Sequence, residues 1–152
     1  MYKRVLVALD GSELSCKVLG HAADIAEKFG SELTLLTIVS WTITNFSQED
    51  SFDPNTAIAY IENRDRIKKI HYDILTEAEA RVRSEHPDLN VSTTLREGHP
   101  SATIVDVAEK EGYDLIVIGS RGIRGITGLI LGSTSRGVVD SCKKPVLIIK
   151  TS

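Results

Sequence analysis

Short, continuously apolar segments alternate with segments of helical spacing along this chain, and no other feature constrains its fold as strongly. Residues 5–9 form the first apolar run, and similar runs follow at 33–39, 115–118 and 145–149, while residues 91–95 are a further strand candidate. Runs of this kind are typical of strands that are buried on both faces. The alternation therefore predicts an α/β fold, with five strands in one parallel sheet and helices on both of its faces.

The first helical segment carries both a start and a stop signal. Ser12 precedes it as a potential N-cap, and Gly30 follows its last apolar residue. These signals predict a helix between Ser12 and Gly30.

The second helical segment is long and begins at Asp53-Pro54, an N-cap followed by proline at the first helical position. An unbroken helix from there to His86 would be ~50 Å long and would project beyond a domain of this size. We therefore expect a break or a frayed start before Ile67. After it, one apolar stripe is expected to face the sheet: Ile67, Ile70, Ile74, Ala78 and Val82.

The length of 152 residues predicts a single domain over residues 1–152, with an irregular insert at about 40–60. Segments of this kind are often functional covers or mobile. We interpret the insert as a mobile cover over a ligand, with a partner contact or disorder as alternatives. Its apolar members are Trp41, Ile43, Phe46 and Phe52.

The composition excludes several classes of protein. A net charge of -3 and 5% aromatic residues do not provide the basic, aromatic surface that single-stranded nucleic acid requires. No apolar segment reaches membrane-spanning length. The two cysteines, Cys16 and Cys142, form no metal-binding or disulfide-framework pattern. We expect a cytoplasmic protein that binds neither nucleic acid nor membrane.

Six of the eleven glycines fall between Gly119 and Gly137, directly after the fourth apolar run. Glycine lets main-chain N–H groups approach a phosphate closely, and a helix that begins near Ser133 would add its own free N–H groups. The segment therefore favours phosphate binding. The alternative is a flexible loop followed by a serine-capped helix with no ligand.

The other common glycine motifs are absent. The segment lacks the lysine of a P-loop, the first strand ends in Asp10-Gly11-Ser12 rather than GxGxxG, and no serine stands in a GxSxG nucleophile elbow. These absences exclude a Walker-type ATPase, a nicotinamide enzyme and a serine hydrolase of the elbow type.

Gly119, Gly122, Gly132 and Ser133 reproduce the pattern G-x2-G-x9-G-(S/T), which resembles the ATP-binding branch of the universal stress protein family. Three further segments are similar to that family: residues 5–12, residues 97–100 before the third helix, and residues 144–148. The resemblance covers the chain except for residues 40–60.

The resemblance implies a Rossmann-like, doubly wound sheet with strand order 3-2-1-4-5. It also implies that the chain binds ATP, with ADP or AMP as alternatives and Mg²⁺ held mainly by the phosphates. A homodimer joined through the last strand, between Val146 and Lys150, is the implied assembly.

Site residues follow from the same resemblance. Ala8, Leu9 and Ile38 would line the adenine side, and Asp10 would lie near the ribose. Arg121 and Arg124 would either pair with phosphate or be solvated loop residues. Asp10 is a possible Mg²⁺ ligand, although an aspartate after a strand more often caps the following turn. The residues implied at the nucleotide loop and phosphates are Ile118, Gly119, Gly122, Gly132, Ser133, Thr134 and Ser135.

The resemblance favours a regulatory, stress-response module that binds ATP with slow or no hydrolysis, since no residue pattern indicates a general base beside a positioned water. No catalytic residue is predicted. The main alternative is an ATP-using enzyme that adenylates or transfers phosphate. A receiver-like signalling domain is disfavoured because the third strand ends without an aspartate, and a structural dimer without nucleotide is the fourth possibility.

The charge is unevenly distributed along the chain. Residues 119–152 contain six Lys and Arg but one acid, Asp140, whereas the preceding residues carry twelve bases against twenty acids. A basic, glycine-rich segment within an acidic chain favours a small polyphosphate as ligand.

Overall fold

A computed structural model describes residues 1–41, 54–121 and 131–150, and of Thr56 the main chain only. Strands and helices alternate along it. In chain order they are β1 (Arg4–Ala8), α1 (Glu13–Phe29), β2 (Glu32–Val39), α2 (Pro54–Glu85), β3 (Val91–Glu97), α3 (Pro100–Lys110), β4 (Leu115–Gly119), α4 (Ser133–Ser141) and β5 (Val146–Ile149).

The five strands form one parallel sheet in the order β3-β2-β1-β4-β5. This confirms the predicted fold class. Strand β1 pairs with β2 on one side and β4 on the other, so the strand order reverses at β1. In open α/β sheets a crevice forms at such a reversal, outside the carboxyl ends of the strands.

Each face of the sheet packs on its own pair of helices. Val7 and Leu35 belong to the core that α1 and α2 cover, and Leu6 and Ile116 belong to the core on the side of α3. All four side chains are fully buried. The central strands are thus apolar on both faces, as their continuous runs predict.

Helix α2 is unbroken over 32 residues, about 48 Å, so the break or frayed start predicted before Ile67 is wrong. Two of its basic side chains contact residues outside the helix. Arg64 and Lys68 form ion pairs with Glu97 at the end of β3, and the Arg64 guanidinium lies 4.5 Å from the centre of the Trp41 ring. Residues 54–60 of the predicted irregular insert are therefore helical.

The apolar stripe of α2 differs at one position from the prediction. Ile70 is 52% exposed, whereas Leu75, one turn further along, is 3% exposed. The core-facing line continues through Ala78 and Val82, as predicted. Leu75 lies closer than Ile70 to this line around the helix, because successive residues are separated by 100°.

The predicted stop signal of α1 is confirmed, whereas the predicted cap at its start is not. Gly30 adopts the left-handed conformation at φ 63° and its N–H donates to the carbonyls of Ala26 and Glu27, as a C-terminal glycine should. Ser12 precedes the helix, but its side chain makes no capping hydrogen bond.

No described helix combines the length and hydropathy needed to cross a membrane.

Candidate functional site

A cleft of about 550 Å³ opens at the carboxyl edge of the sheet, where the strand order reverses. The ends of β1, β2 and β4 form its floor, and the first turns of α1, α3 and α4 form its walls. Its lining residues are Ala8, Leu9, Asp10, Ser12, Leu14, Ser15, Val18, Leu36, Ile38, Ser40, Pro100, Ile104, Ile118, Gly119, Arg121, Gly132, Ser133, Thr134 and Ser135.

The structure brings together every predicted site residue that it describes. Eleven of the thirteen residues line this one cleft, although they come from four separate parts of the chain. The other two, Gly122 and Arg124, lie outside the described residues, as do the insert residues Ile43, Phe46 and Phe52.

Sequence reasoning missed the residues that the helices contribute to the cleft: Ser12, Leu14, Ser15, Val18, Pro100 and Ile104. Leu36 and Ser40 on the β2 side were also missed. Ser12 and Ser15 follow the first strand closely, so a turn signal was present there. The contribution of α3 depends on how that helix packs, which local patterns do not reveal.

Asp10 closes the turn between β1 and α1. Its Oδ1 atom accepts hydrogen bonds from the main-chain N–H of Ser12 at 2.9 Å and from the Ser15 hydroxyl at 2.7 Å. Gly11, at φ 80°, provides the left-handed residue of this turn. Asp10 therefore replaces Ser12 as the group that organises the helix start.

No group of three or more His, Cys, Asp or Glu side chains is arranged to hold a metal ion in the part of the chain that the structure describes. Within the cleft lining, Asp10 is the only residue of these types. A magnesium ion would thus need most of its ligands from another source, and Asp10 as its ligand stays a prediction.

The main chain of Ile38 faces the crevice. The N–H of Leu9 donates to the carbonyl of Leu36 at 2.8 Å, which ends the pairing of β1 with β2. The carbonyl of Val39 points the other way and accepts from the N–H of Gly98. Because main-chain groups alternate along a strand, the N–H and C=O of Ile38 point to the side that β1 has left.

Apolar side chains surround this stretch of main chain. Ala8, Ile38 and Ile118 lie at or next to the last residue of their strands, on the face that packs against α3, and Ile104 of α3 lies with them. A flat apolar group that enters between them would find one donor and one acceptor at Ile38. Ligand sites typically combine apolar walls with a few such polar groups.

The other end of the cleft is formed by the first turn of α4. Gly132 is its N-cap, no side chain caps it, and Arg136 is the first residue whose N–H bonds within the helix. The N–H groups of the first turn at Ser133, Thr134 and Ser135 therefore lack helical partners. Such groups, with the helix dipole behind them, favour an anion.

Two glycines permit close contacts around this end. A Cβ atom on Gly132 would lie 3.3 Å from the carbonyl oxygen of Ser120. A Cβ atom on Gly119 would lie 2.9 Å from Leu14 Cδ2, so glycine lets α1 approach the end of β4. The glycine motif thus has a packing role that holds without any ligand.

Ser135 is placed differently from its neighbours. Its side chain is buried at 2% exposure, and its hydroxyl lies 3.2 Å from the carbonyl oxygen of Ser120 and 3.1 Å from that of Gly132. Ser133 is exposed and Thr134 is half-buried. The hydroxyl groups of Ser133 and Thr134 are therefore nearer to the cleft opening than that of Ser135.

Comparisons with known proteins point in one direction. A sequence model of the universal stress protein family matches residues 1–150. The universal stress protein YxiE of Bacillus subtilis is 32% identical over 156 residues, which cover 99% of this chain and 100% of YxiE. The structure of the universal stress protein UspA from Lactobacillus plantarum matches with a TM-score of 0.83 and 26% identity, covering 97% of each chain.

Two further solved structures contain adenine nucleotides. One is a universal stress protein in complex with cAMP, with a TM-score of 0.69 and 27% identity, covering 99% of this chain and 98% of the other. The second is the universal stress protein from Archaeoglobus fulgidus in complex with dAMP, with a TM-score of 0.65 and 26% identity, covering 98% of each chain. The chain is thus similar in fold to proteins that bind adenine nucleotides.

Proposed function

Because this chain belongs to the universal stress protein family, we propose that it is a regulatory module of the stress response that binds ATP in the cleft at the carboxyl edge of the sheet. One observation carries the proposal: a single cleft combines an apolar wall, a strand main chain that faces it, and the first turn of a glycine-capped helix. The adenine nucleotides bound by two similar proteins support it.

The β2 side of the cleft suits adenine. The N–H of Ile38 can donate to N1 of the base and its carbonyl can accept from the N6 amino group. Guanine presents a donor at N1 and an acceptor at O6, which is the opposite arrangement. Ala8, Ile104 and Ile118 supply the apolar surfaces between which the ring would lie.

The α4 side suits the phosphates. The N–H groups of Ser133 and Thr134 are free of helical partners, and both hydroxyl groups belong to residues that line the cleft. Arg121 lines the same region and adds a cation. We infer that Mg²⁺, when bound, is held mainly by phosphate oxygens, with Asp10 as the nearest protein carboxylate in the lining. ADP and AMP are the alternative ligands.

Slow or absent hydrolysis is part of the proposal. Asp10 is the one acidic residue of the cleft lining, and its Oδ1 atom is already bonded to Ser12 and Ser15. A general base must lie within hydrogen-bond reach of the attacking water. The alternative function, an ATP-using enzyme that adenylates or transfers phosphate, would require a substrate-dependent release of AMP or ADP.

The proposed assembly is a homodimer through β5. This strand is at the edge of the sheet, and Val146, Leu147 and Ile148 are only half-buried. Val139 on α4 is 45% exposed. An apolar edge strand is a ready surface for pairing with another chain.

We also propose a cytoplasmic location for the protein. The free thiols of Cys16 and Cys142 favour this location, because disulfide bonds are rare in the cytoplasm.

The proposal is tested by denaturing the purified protein, identifying any released nucleotide, and titrating the nucleotide-free protein with ATP by calorimetry. We expect an adenine nucleotide in the supernatant or a saturable heat of ATP binding. Recovery of none, together with no heat on titration, would contradict the proposal. Sedimentation of the same sample would decide between dimer and monomer.

A further inference from the structure

The two ends of the glycine-rich segment are joined at one carbonyl group. The oxygen of Ser120, directly after β4, accepts the N–H of Gly132 at 2.8 Å and lies 3.2 Å from the hydroxyl of Ser135. The N–H of Ser120 donates to the carbonyl of Ile149 in β5 at 2.8 Å. Ser120 thus fixes the start of α4 to the end of the sheet.

The contacts at this junction are shielded from water. Ser120 is 6% exposed and Ser135 is 2% exposed. The Ser135 hydroxyl has one hydrogen to donate, which it shares between the carbonyls of Ser120 and Gly132. Without this hydroxyl the Ser120 carbonyl keeps only the N–H of Gly132, and the Gly132 carbonyl keeps only the N–H of Arg136. Because the Ser120 carbonyl and the Ser135 side chain are buried, water does not replace the lost hydrogen bond.

We propose that Ser135 is a positioning residue for the nucleotide: its buried hydroxyl holds the first turn of α4 against Ser120, so that the N–H groups of Ser133 and Thr134 meet the phosphates. This inference rests on the proposed binding of ATP and assigns the Ser135 hydroxyl to the protein rather than to the ligand. Gly132 has a matching role, because any larger residue would press on the same carbonyl.

The distinction between positioning and binding has an observable consequence. If Ser135 positions, its loss weakens the Gly132 to Ser120 hydrogen bond even without nucleotide. If its hydroxyl instead touches the phosphates, its loss changes only the bound state. Amide hydrogen exchange at Gly132 in the nucleotide-free protein separates the two.

The experiment compares wild type with Ser135→Ala, with Ser133→Ala as the matched control in the same turn. For Ser135→Ala we expect ATP affinity to fall about tenfold and Gly132 amide exchange in the nucleotide-free protein to become about fivefold faster. Ser133→Ala should leave Gly132 exchange unchanged. Wild-type exchange at Gly132 in nucleotide-free Ser135→Ala, or wild-type ATP affinity, overturns the inference.

A second pair of variants tests the inference even if Ser135→Ala fails to fold. Ser135→Thr and Ser135→Val have nearly the same shape and differ in the hydroxyl, so Thr should bind ATP more tightly than Val by about tenfold. Equal affinity of the two overturns the inference while the proposed function stands. If wild-type protein binds no adenine nucleotide, the proposed function itself fails, and with it the role assigned to Ser135.

Discussion

The ammonium group of Lys68 lies 2.9 Å from the carboxylate of Glu97, which joins the middle of α2 to the end of β3. Arg64 reaches the same carboxylate at 3.5 Å. These contacts place α2 beside the carboxyl end of β3. The hydrogen bond from Lys68 lowers the pKa of Glu97 below its ordinary value.

The pH dependence of stability follows from the direction of that shift. A carboxylate with a lowered pKa in the folded protein stabilises it above the pKa of the unfolded chain, and this contribution is lost as pH falls through the folded value. We expect Glu97→Gln to reduce the free energy of unfolding at pH 7, and the difference from wild type to shrink as the pH falls below 4.5. Because Glu97 is exposed, the effect is small.

Urea denaturation of both proteins at several pH values measures this difference. Glu62→Gln, at an exposed position of α2, is the control and should change stability little at any pH. A difference between Glu97→Gln and wild type that persists unchanged into acid would contradict the assigned cause.

Gly132→Val should abolish ATP binding and leave the fold and the proposed dimer intact. The first atom of the new side chain would lie 3.3 Å from the Ser120 carbonyl, and the branches of valine would force the two apart. We expect a loss of ATP affinity of about a hundredfold or more, measured by calorimetry, with an unchanged far-ultraviolet circular dichroism spectrum.

Gly20→Ala is the control for that substitution. Gly20 is within α1 and nothing lies within 4 Å of an added Cβ atom. This variant should bind ATP as wild type does and gain about 0.5–1 kcal/mol of stability. Undiminished ATP affinity in Gly132→Val would count against the phosphate site.

ATP should bind more tightly than ITP, because the two differ mainly at the base edge that would face Ile38 in the proposed complex. Inosine presents a donor at N1 and an acceptor at position 6, so both hydrogen bonds to the Ile38 main chain would be lost. An unsatisfied pair of this kind should weaken binding by about tenfold or more. Competition between the two nucleotides measures the ratio of their affinities. Equal affinities would contradict the proposed hydrogen bonds between the base and the Ile38 main chain.

Gly137→Ala should destabilise the packing of α3 on α4. An added Cβ atom would lie 2.6 Å from Ser101 Oγ and 2.7 Å from Ser101 Cβ, which forces the helices apart. We expect a loss of about 1–3 kcal/mol in urea denaturation. In the Ser101→Gly background, Gly137→Ala should cost less free energy of unfolding than it does in the wild type, because the side chain that it meets is gone. An equal cost in both backgrounds would exclude the contact with Ser101 as the cause.

Much of the fold was predictable because it is encoded in local patterns. Strands buried on both faces are continuous apolar runs, and the left-handed residue that ends α1 is a glycine. The motif residues Gly119, Gly132 and Ser133 were likewise predictable, and parallel strands bring them to one edge. Such features depend on neighbours in the chain.

The remaining features depend on residues that are distant in sequence. The first half of α2 contacts Glu97 and Trp41, neither of which belongs to the helix. The family resemblance implies Ser135 as a phosphate ligand, yet packing directs its hydroxyl towards Ser120, fifteen residues earlier. The position of a residue relative to a sequence motif shows only that its side chain can lie near the site. Whether it faces the ligand or the protein depends on which buried groups need a partner, and only tertiary packing determines that.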